Sequence, residues 1–184
     1  MAPRLARTNA EAHLYMDLQP CEVCGERDFD PKSSVIMVDG DLASCYTGQC
    51  PRCHTEREFV FGLPEEILFP LADGVRFGDE RPSELLDPGD WLWVADTITR
   101  NTPGDPAGLS ADQRDQIRYD LATAVAAMDE VMKFIPPGAE RVAEDAFFSP
   151  RGRAVYEAEP GRFRRLRLQA VRDAYQELVD AFTG

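Results

Sequence analysis

The chain has 184 residues, of which 43% are hydrophobic and 29% charged, and its net charge is −13. That composition is globular rather than disordered, and the length suits one domain or a small module fused to a larger one. An acidic surface repels phosphate backbones, which disfavours general nucleic-acid binding, and no run approaches the roughly 20 apolar residues of a membrane span.

The charge is unevenly placed. Residues 1–138 carry 25 acidic and 12 basic side chains, whereas residues 139–184 carry eight of each. The acidic part favours a basic partner and would speed encounter with it. The first nine residues hold Arg4 and Arg7 with no apolar core behind them. They do not read as a secretory signal, so a cytoplasmic protein is expected.

Residues 1–12 read as a loose or helical arm, and His13 to Leu18 alternates enough for a strand leading into Pro20-Cys21. The tight turn Cys21-Glu22-Val23-Cys24-Gly25 follows. Residues 33–38 are β-branched and apolar, Asp39-Gly40 is a hairpin signal, and residues 41–48 return as a second strand. Cys50-Pro51-Arg52-Cys53 makes a second tight turn, and residues 55–62 read as a third strand that Pro64 ends. Residues 64–89 form a Pro-, Gly- and Asp-rich connector, with a helical turn expected at 83–86. Trp91 to Ala95 reads as a short buried helix capped by Asp90. Ser110 and Gln113 have the capping-box spacing and open a long helix that Pro136-Pro137-Gly138 stops. Ser149-Pro150 starts a shorter helix. Pro160-Gly161 starts the last one, with an expected apolar stripe of Phe163, Leu166, Ala170, Ala174, Leu178 and Phe182, and Val171 and Tyr175 beside it.

Five cysteines are present, and four sit in two C-x-x-C pairs separated by 25 residues that hold a hairpin. An odd count with two such pairs in a non-secreted chain points to metal rather than disulfides. The pattern in residues 18–63 resembles a zinc ribbon. That resemblance implies one structural zinc held by Cys21, Cys24, Cys50 and Cys53, two thiolates coming from each knuckle. Gly25 fits the family's habit of a small residue after the first pair, and His54 departs from it after the second. The resemblance implies nothing about residues 64–184, and no family is identified for the whole chain. A tetrahedral four-sulfur site also admits iron, which stays open as the minority choice. Cys45 and His54 are alternative ligands. The ordinary readings are a small buried hydrophobe for Cys45 and a solvent-facing neighbour of the site for His54.

No catalytic set emerges. Pro20-Cys21-Glu22-Val23-Cys24 matches half of a zinc deaminase signature, but the upstream H-x-E is missing. Both C-x-x-C pairs flank a hairpin rather than starting a helix, which disfavours a thioredoxin-like role. Phosphate-loop, dinucleotide and H-E-x-x-H motifs do not occur. An enzyme is therefore the third-ranked reading.

Two binding surfaces are candidates. Trp91 and Trp93 are core residues by default and a partner site if exposed. Arg162, Arg164, Arg165 and Arg167 form a basic cluster that either grips an acidic partner or pairs with the chain's own carboxylates. The sequence thus predicts an α+β fold. A three-stranded zinc ribbon in residues 1–64 precedes a mainly helical part in 65–184, with the connector leaving open whether they share one core. The expected role is a zinc-stabilised protein-interaction module, an acidic binder of a basic protein, for example of the immunity or adaptor type. The likeness to small acidic immunity proteins is one of composition and carries no motif. The alternative is a nucleic-acid or transcription-associated zinc ribbon, against which the acidic hairpin tip Asp39-Gly40-Asp41 weighs.

Overall fold

The computed structural model describes residues 2–66, 68, 69, 71 and 74–183; positions 67, 70, 72 and 73 of the expected connector lie outside the described residues. The chain is α+β, with a three-stranded antiparallel sheet in its N-terminal half and, among the described residues, five α-helices, mostly C-terminal. It divides into two compact units. The first comprises Met1–Phe69, Phe77–Asp79 and Ser83–Leu85, and the second the remainder. The division is thus discontinuous in sequence. No described helix is long and apolar enough to cross a membrane.

The first unit begins with α1, Asn9–Asp17. The strand expected at 13–18 is therefore helix and its end. Thr8 accepts a hydrogen bond from the Glu11 N–H at 3.1 Å, which caps the first turn. The Glu11 carboxylate accepts from the Arg7 N–H at 2.7 Å and from the Arg7 guanidinium at 2.5 Å, and both side chains are buried. The T-x-x-E spacing of residues 8–11 is the helix signal that the apparent alternation of 13–18 obscured.

Strands β1 (Lys32–Val38), β2 (Asp41–Gln49) and β3 (Glu56–Gly62) form the sheet in the order β1-β2-β3. Asp39 and Gly40 both take positive φ, 54° and 99°, as a two-residue type I′ hairpin turn demands. The register sets Val38 opposite Asp41, Met37 opposite Leu42 and Val35 opposite Ser44; on the other side Ser44 faces Phe61 and Tyr46 faces Phe59. Residues opposite one another share a sheet face. Tyr15 of α1 packs edge-on against Phe59 and Phe61, and His13 packs edge-on against Tyr46. The helix therefore covers the β2–β3 part of that face. The outer edge of β3 is bridged by residues 4–6, with Ala6 N–H donating to Gly62 O and Gly62 N–H to Arg4 O.

The second unit holds α2 (Pro88–Arg100), α3 (Ala111–Met132), α4 (Pro150–Ala158) and α5 (Arg165–Ala181), with 3-10 turns at Glu144–Ala146 and Pro160–Phe163. The helix expected at 91–95 is longer, and its cap is Asp87 rather than Asp90. Asp87 accepts from the Gly89 and Asp90 N–H groups at 2.9 Å, Pro88 fills the first turn, and Asp90 completes the capping box. The Asp87 carboxylate also accepts from the Ser149 N–H at 2.7 Å, so one side chain serves the start of two helices. Gly152 lies against it. A Cβ built at Gly152 would overlap the Asp87 carboxylate, so the close approach of α2 and α4 requires glycine there. Ser110 and Gln113 form the expected capping box of α3. The core is built from Leu86, Trp91, Leu92, Leu121, Met128, Val131, Phe163 and Leu168, each at most 1% exposed.

The last helix starts later than expected, because Arg164 is extended and separates the 3-10 turn from α5. Its expected stripe holds at Phe163, Leu178 and Phe182 but is out of phase between them. Leu166 is 75% exposed and Ala170 and Ala174 are exposed, whereas Leu168 is buried. Steps of four residues drift by about 40° each around a helix with 3.6 residues per turn. The inward face instead follows Leu168, Val171, Tyr175, Leu178 and Phe182, in alternating steps of three and four.

Candidate metal centre

Cys21 and Cys24 follow α1, and Cys50 and Cys53 join β2 to β3. The two C-x-x-C turns are closed in the same way. In the first, the Cys21 N–H donates to Glu26 O at 2.7 Å and the Gly25 N–H to Cys21 O at 2.8 Å. In the second, the Cys50 N–H donates to Thr55 O and the His54 N–H to Cys50 O, both at 2.9 Å. The residue after each pair must turn back sharply, and both take positive φ, 74° at Gly25 and 58° at His54. Glycine does this freely, whereas a side chain with a Cβ is strained there, so the second knuckle holds a cost that the first does not.

These turns bring the four Sγ atoms within 4.8 Å of one another. Cys21 Sγ lies 3.6 Å from Cys53 Sγ and Cys24 Sγ 3.5 Å from Cys50 Sγ, so the closest pairs cross from one knuckle to the other. A disulfide would bring two sulfurs to about 2.05 Å, and all five cysteines are free thiols. A tetrahedral site with metal–sulfur bonds of about 2.3 Å would space its sulfurs by about 3.8 Å. The cluster is close to that spacing, and four cysteines so placed could bind one metal ion. Cys21 and Cys50 are buried, while Cys24 and Cys53 are partly open to solvent.

Thiols this close share their protons unequally. Cys53 is pulled down to about 6, first by the Thr55 hydroxyl 3.2 Å from its sulfur, then by the Thr55 backbone and its neighbour thiols. At Cys24 the Glu26 backbone hydrogen bond pulls downward. Burial and hydrogen bonding with Cys53, Cys50 and Cys21 outweigh it, and the thiol is pushed up to about 12. A divalent cation held by Cys21, Cys24, Cys50 and Cys53 would remove this conflict, since each sulfur could then ionise against it. Thr55 is the site neighbour that spacing rules did not single out; its position two residues after a cysteine pair is the only signal for it.

The two alternative ligands do not join the cluster. Cys45 pairs with Val60 across the sheet and its sulfur is 3.9 Å from the Glu58 carboxylate. Burial first, then the Glu58 charge, push its thiol up, so it is a buried apolar residue rather than a reactive one. His54 serves the backbone turn and is exposed.

The expected partner surface is also altered. Trp91 is 0% exposed, because α2 turns it into the core, and it can offer nothing to a partner. Trp93 is half-buried, with the Arg151 guanidinium 4.9 Å above its ring. Arg162 makes a two-pronged pair with Asp96 at 2.7 Å, which raises its pKa further. Arg165 donates to Ala139 O at 3.2 Å, and Arg167 pairs with Glu159 at 2.7 Å. Much of the basic cluster therefore serves the chain's own carboxylates and carbonyls, while Arg164 and Arg167 remain exposed.

Comparison with protein-family models, with curated proteins and with solved structures returned no match.

Proposed function

We propose that Cys21, Cys24, Cys50 and Cys53 hold one structural zinc ion in a ribbon-like module. The chain then works as a zinc-stabilised protein-interaction module, an acidic binder of a basic protein of the immunity or adaptor class. The observation that carries the zinc is the convergence of four sulfurs from two identically closed knuckles. The order of knuckle, hairpin, knuckle and strand supports the likeness to a zinc ribbon. Four thiolates fill a tetrahedral zinc, so the ion would stabilise the unit and leave no position for a substrate. No enzyme activity is proposed.

The charge supports the partner class. A net charge of −13, with an acidic hairpin tip in the module itself, attracts a basic surface and repels a phosphate backbone. Metal analysis of protein purified without added metal tests the first claim, with about one zinc per chain expected. Iron or no metal would overturn it. Retention on a heparin column, followed as a function of salt, tests the second. Flow-through at low salt fits the proposal, and salt-dependent retention would favour the nucleic-acid alternative through Arg164 and Arg167.

A further inference from the structure

The first unit leaves one sheet edge open. Among the described residues no strand pairs with β1 on the side away from β2. Its last four residues, Val35, Ile36, Met37 and Val38, carry no charge, proline or glycine. Natural edges usually carry such residues to prevent pairing with another chain.

The backbone of this edge is also oriented for pairing. Leu42 O accepts from the Leu63 N–H at 3.2 Å, so Leu42 bonds towards β3. Its opposite residue Met37 therefore directs its N–H and C=O away from β2, and so does Val35 two residues earlier. The side chains of the same residues are bare. Val35 is 64%, Met37 69% and Leu42 57% exposed, and all three lie on one sheet face. Helix α1 covers the aromatic end of that face and leaves this end open.

We propose that a second copy of this chain docks along β1, antiparallel and about a two-fold axis, to join the two three-stranded sheets into one of six strands. The strand is complementary to itself. Lys32 stands at its start, and the acidic turn Asp39-Gly40-Asp41 follows its end. Antiparallel pairing sets each Lys32 beside the acidic turn of the other copy, while the apolar centres meet each other. A two-fold contact of this kind closes on itself and makes a dimer rather than a fibre. The opposing factor is the −13 charge of each copy. At about 0.15 M salt the screening length is about 8 Å, which confines that repulsion to nearby charges. This inference does not depend on the basic partner proposed above.

Sedimentation velocity of the full metal-loaded chain across the micromolar range tests it, at about 0.15 M salt. The expected mass rises with concentration from 20.6 kDa towards twice that value. The double variant Val35→Lys/Met37→Lys alters only exposed side chains. It should weaken association roughly tenfold or more while metal content and thermal unfolding stay unchanged. Lys32→Glu should also weaken association, and Lys32→Glu combined with Asp41→Lys should restore it. A single-chain mass at every concentration overturns the proposal, as does a dimer that persists in the double variant with its mass unchanged.

Discussion

In the second unit, Trp91, Phe163, Leu121, Met128 and Val131 are all at most 1% exposed, whereas the sheet of the first unit leaves Val35, Met37 and Leu42 more than half exposed. The helical unit closes a core from four amphipathic helices and seals its rim with pairs such as Arg162–Asp96 and Arg172–Asp129. The sheet unit packs one short helix on three short strands, and that helix covers only part of its face. Small units with so little buried apolar area commonly need a crosslink or a metal. The difference teaches where each unit is vulnerable, the first at its thiols and the buried Arg7–Glu11 pair, the second at its helix contacts.

The largest test separates the two units by their probes. Both tryptophans lie in α2, so tryptophan fluorescence reports the second unit alone, while cobalt bound at the four cysteines would report the thiolates. Chelation, or Cys21→Ser, should unfold the first unit and leave the fluorescence of the second at its native wavelength. Structural zinc sites in small peptides contribute about 10–16 kcal/mol of apparent binding energy, far more than the other changes considered below. Loss of both signals together would break the comparison, since the second unit would then depend on the metal too.

Next in size is Glu11→Ala. Arg7 is 2% and Glu11 0% exposed, and the carboxylate takes both the guanidinium and the Arg7 N–H. Removing it takes from the buried Arg7 guanidinium the carboxylate that it donates to, at a cost of about 3–5 kcal/mol. Urea unfolding followed by the cobalt–thiolate absorbance should show the loss. A parallel trace by tryptophan fluorescence should not move.

In the second unit the sharpest equivalent is Gly152→Ala. Alanine in a helix interior usually stabilises by about 0.5–1 kcal/mol relative to glycine. Here its Cβ would overlap the Asp87 carboxylate, which caps α2 and holds the Ser149 N–H. Overpacking of this kind costs about 1–3 kcal/mol, and loss of the cap adds to it. The sign of the change in fluorescence-detected stability decides the matter, because a gain would show that α4 can retreat without loss.

The sequence made local features legible and hid those that depend on what covers what. Two C-x-x-C spacings, a D-G turn and an S-x-x-Q cap each state their geometry within a few residues, and each has its counterpart in the structure. The helix at 9–17 was marked by T-x-x-E, but the buried Arg7–Glu11 pair behind it could not be read, because charged residues are ordinarily exposed. The stripe of α5 failed at Leu166 because a run of four-residue steps drifts off the helix face. The apolar residues of β1 read as a strand, but their pattern did not say that they would be exposed. Only the position of α1 over Phe59 and Phe61 shows that β1 is left out.

The smallest effect compares the two knuckles with each other. They share their hydrogen bonds and their left-handed residue, yet one uses Gly25 and the other His54 at φ 58°. A non-glycine residue in that region costs roughly 1–2 kcal/mol. His54→Gly relieves the strain but also loosens the unfolded chain, which returns about 0.4–1 kcal/mol, so a net gain of about 1 kcal/mol or less is expected. The exposed imidazole makes no part of the sulfur cluster, so metal affinity should stay the same or rise slightly. Competition of the wild type and His54→Gly against a graded series of chelators measures this directly. A fall in affinity would show that the imidazole acts on the metal after all, and the two knuckles would then differ in chemistry as well as in strain.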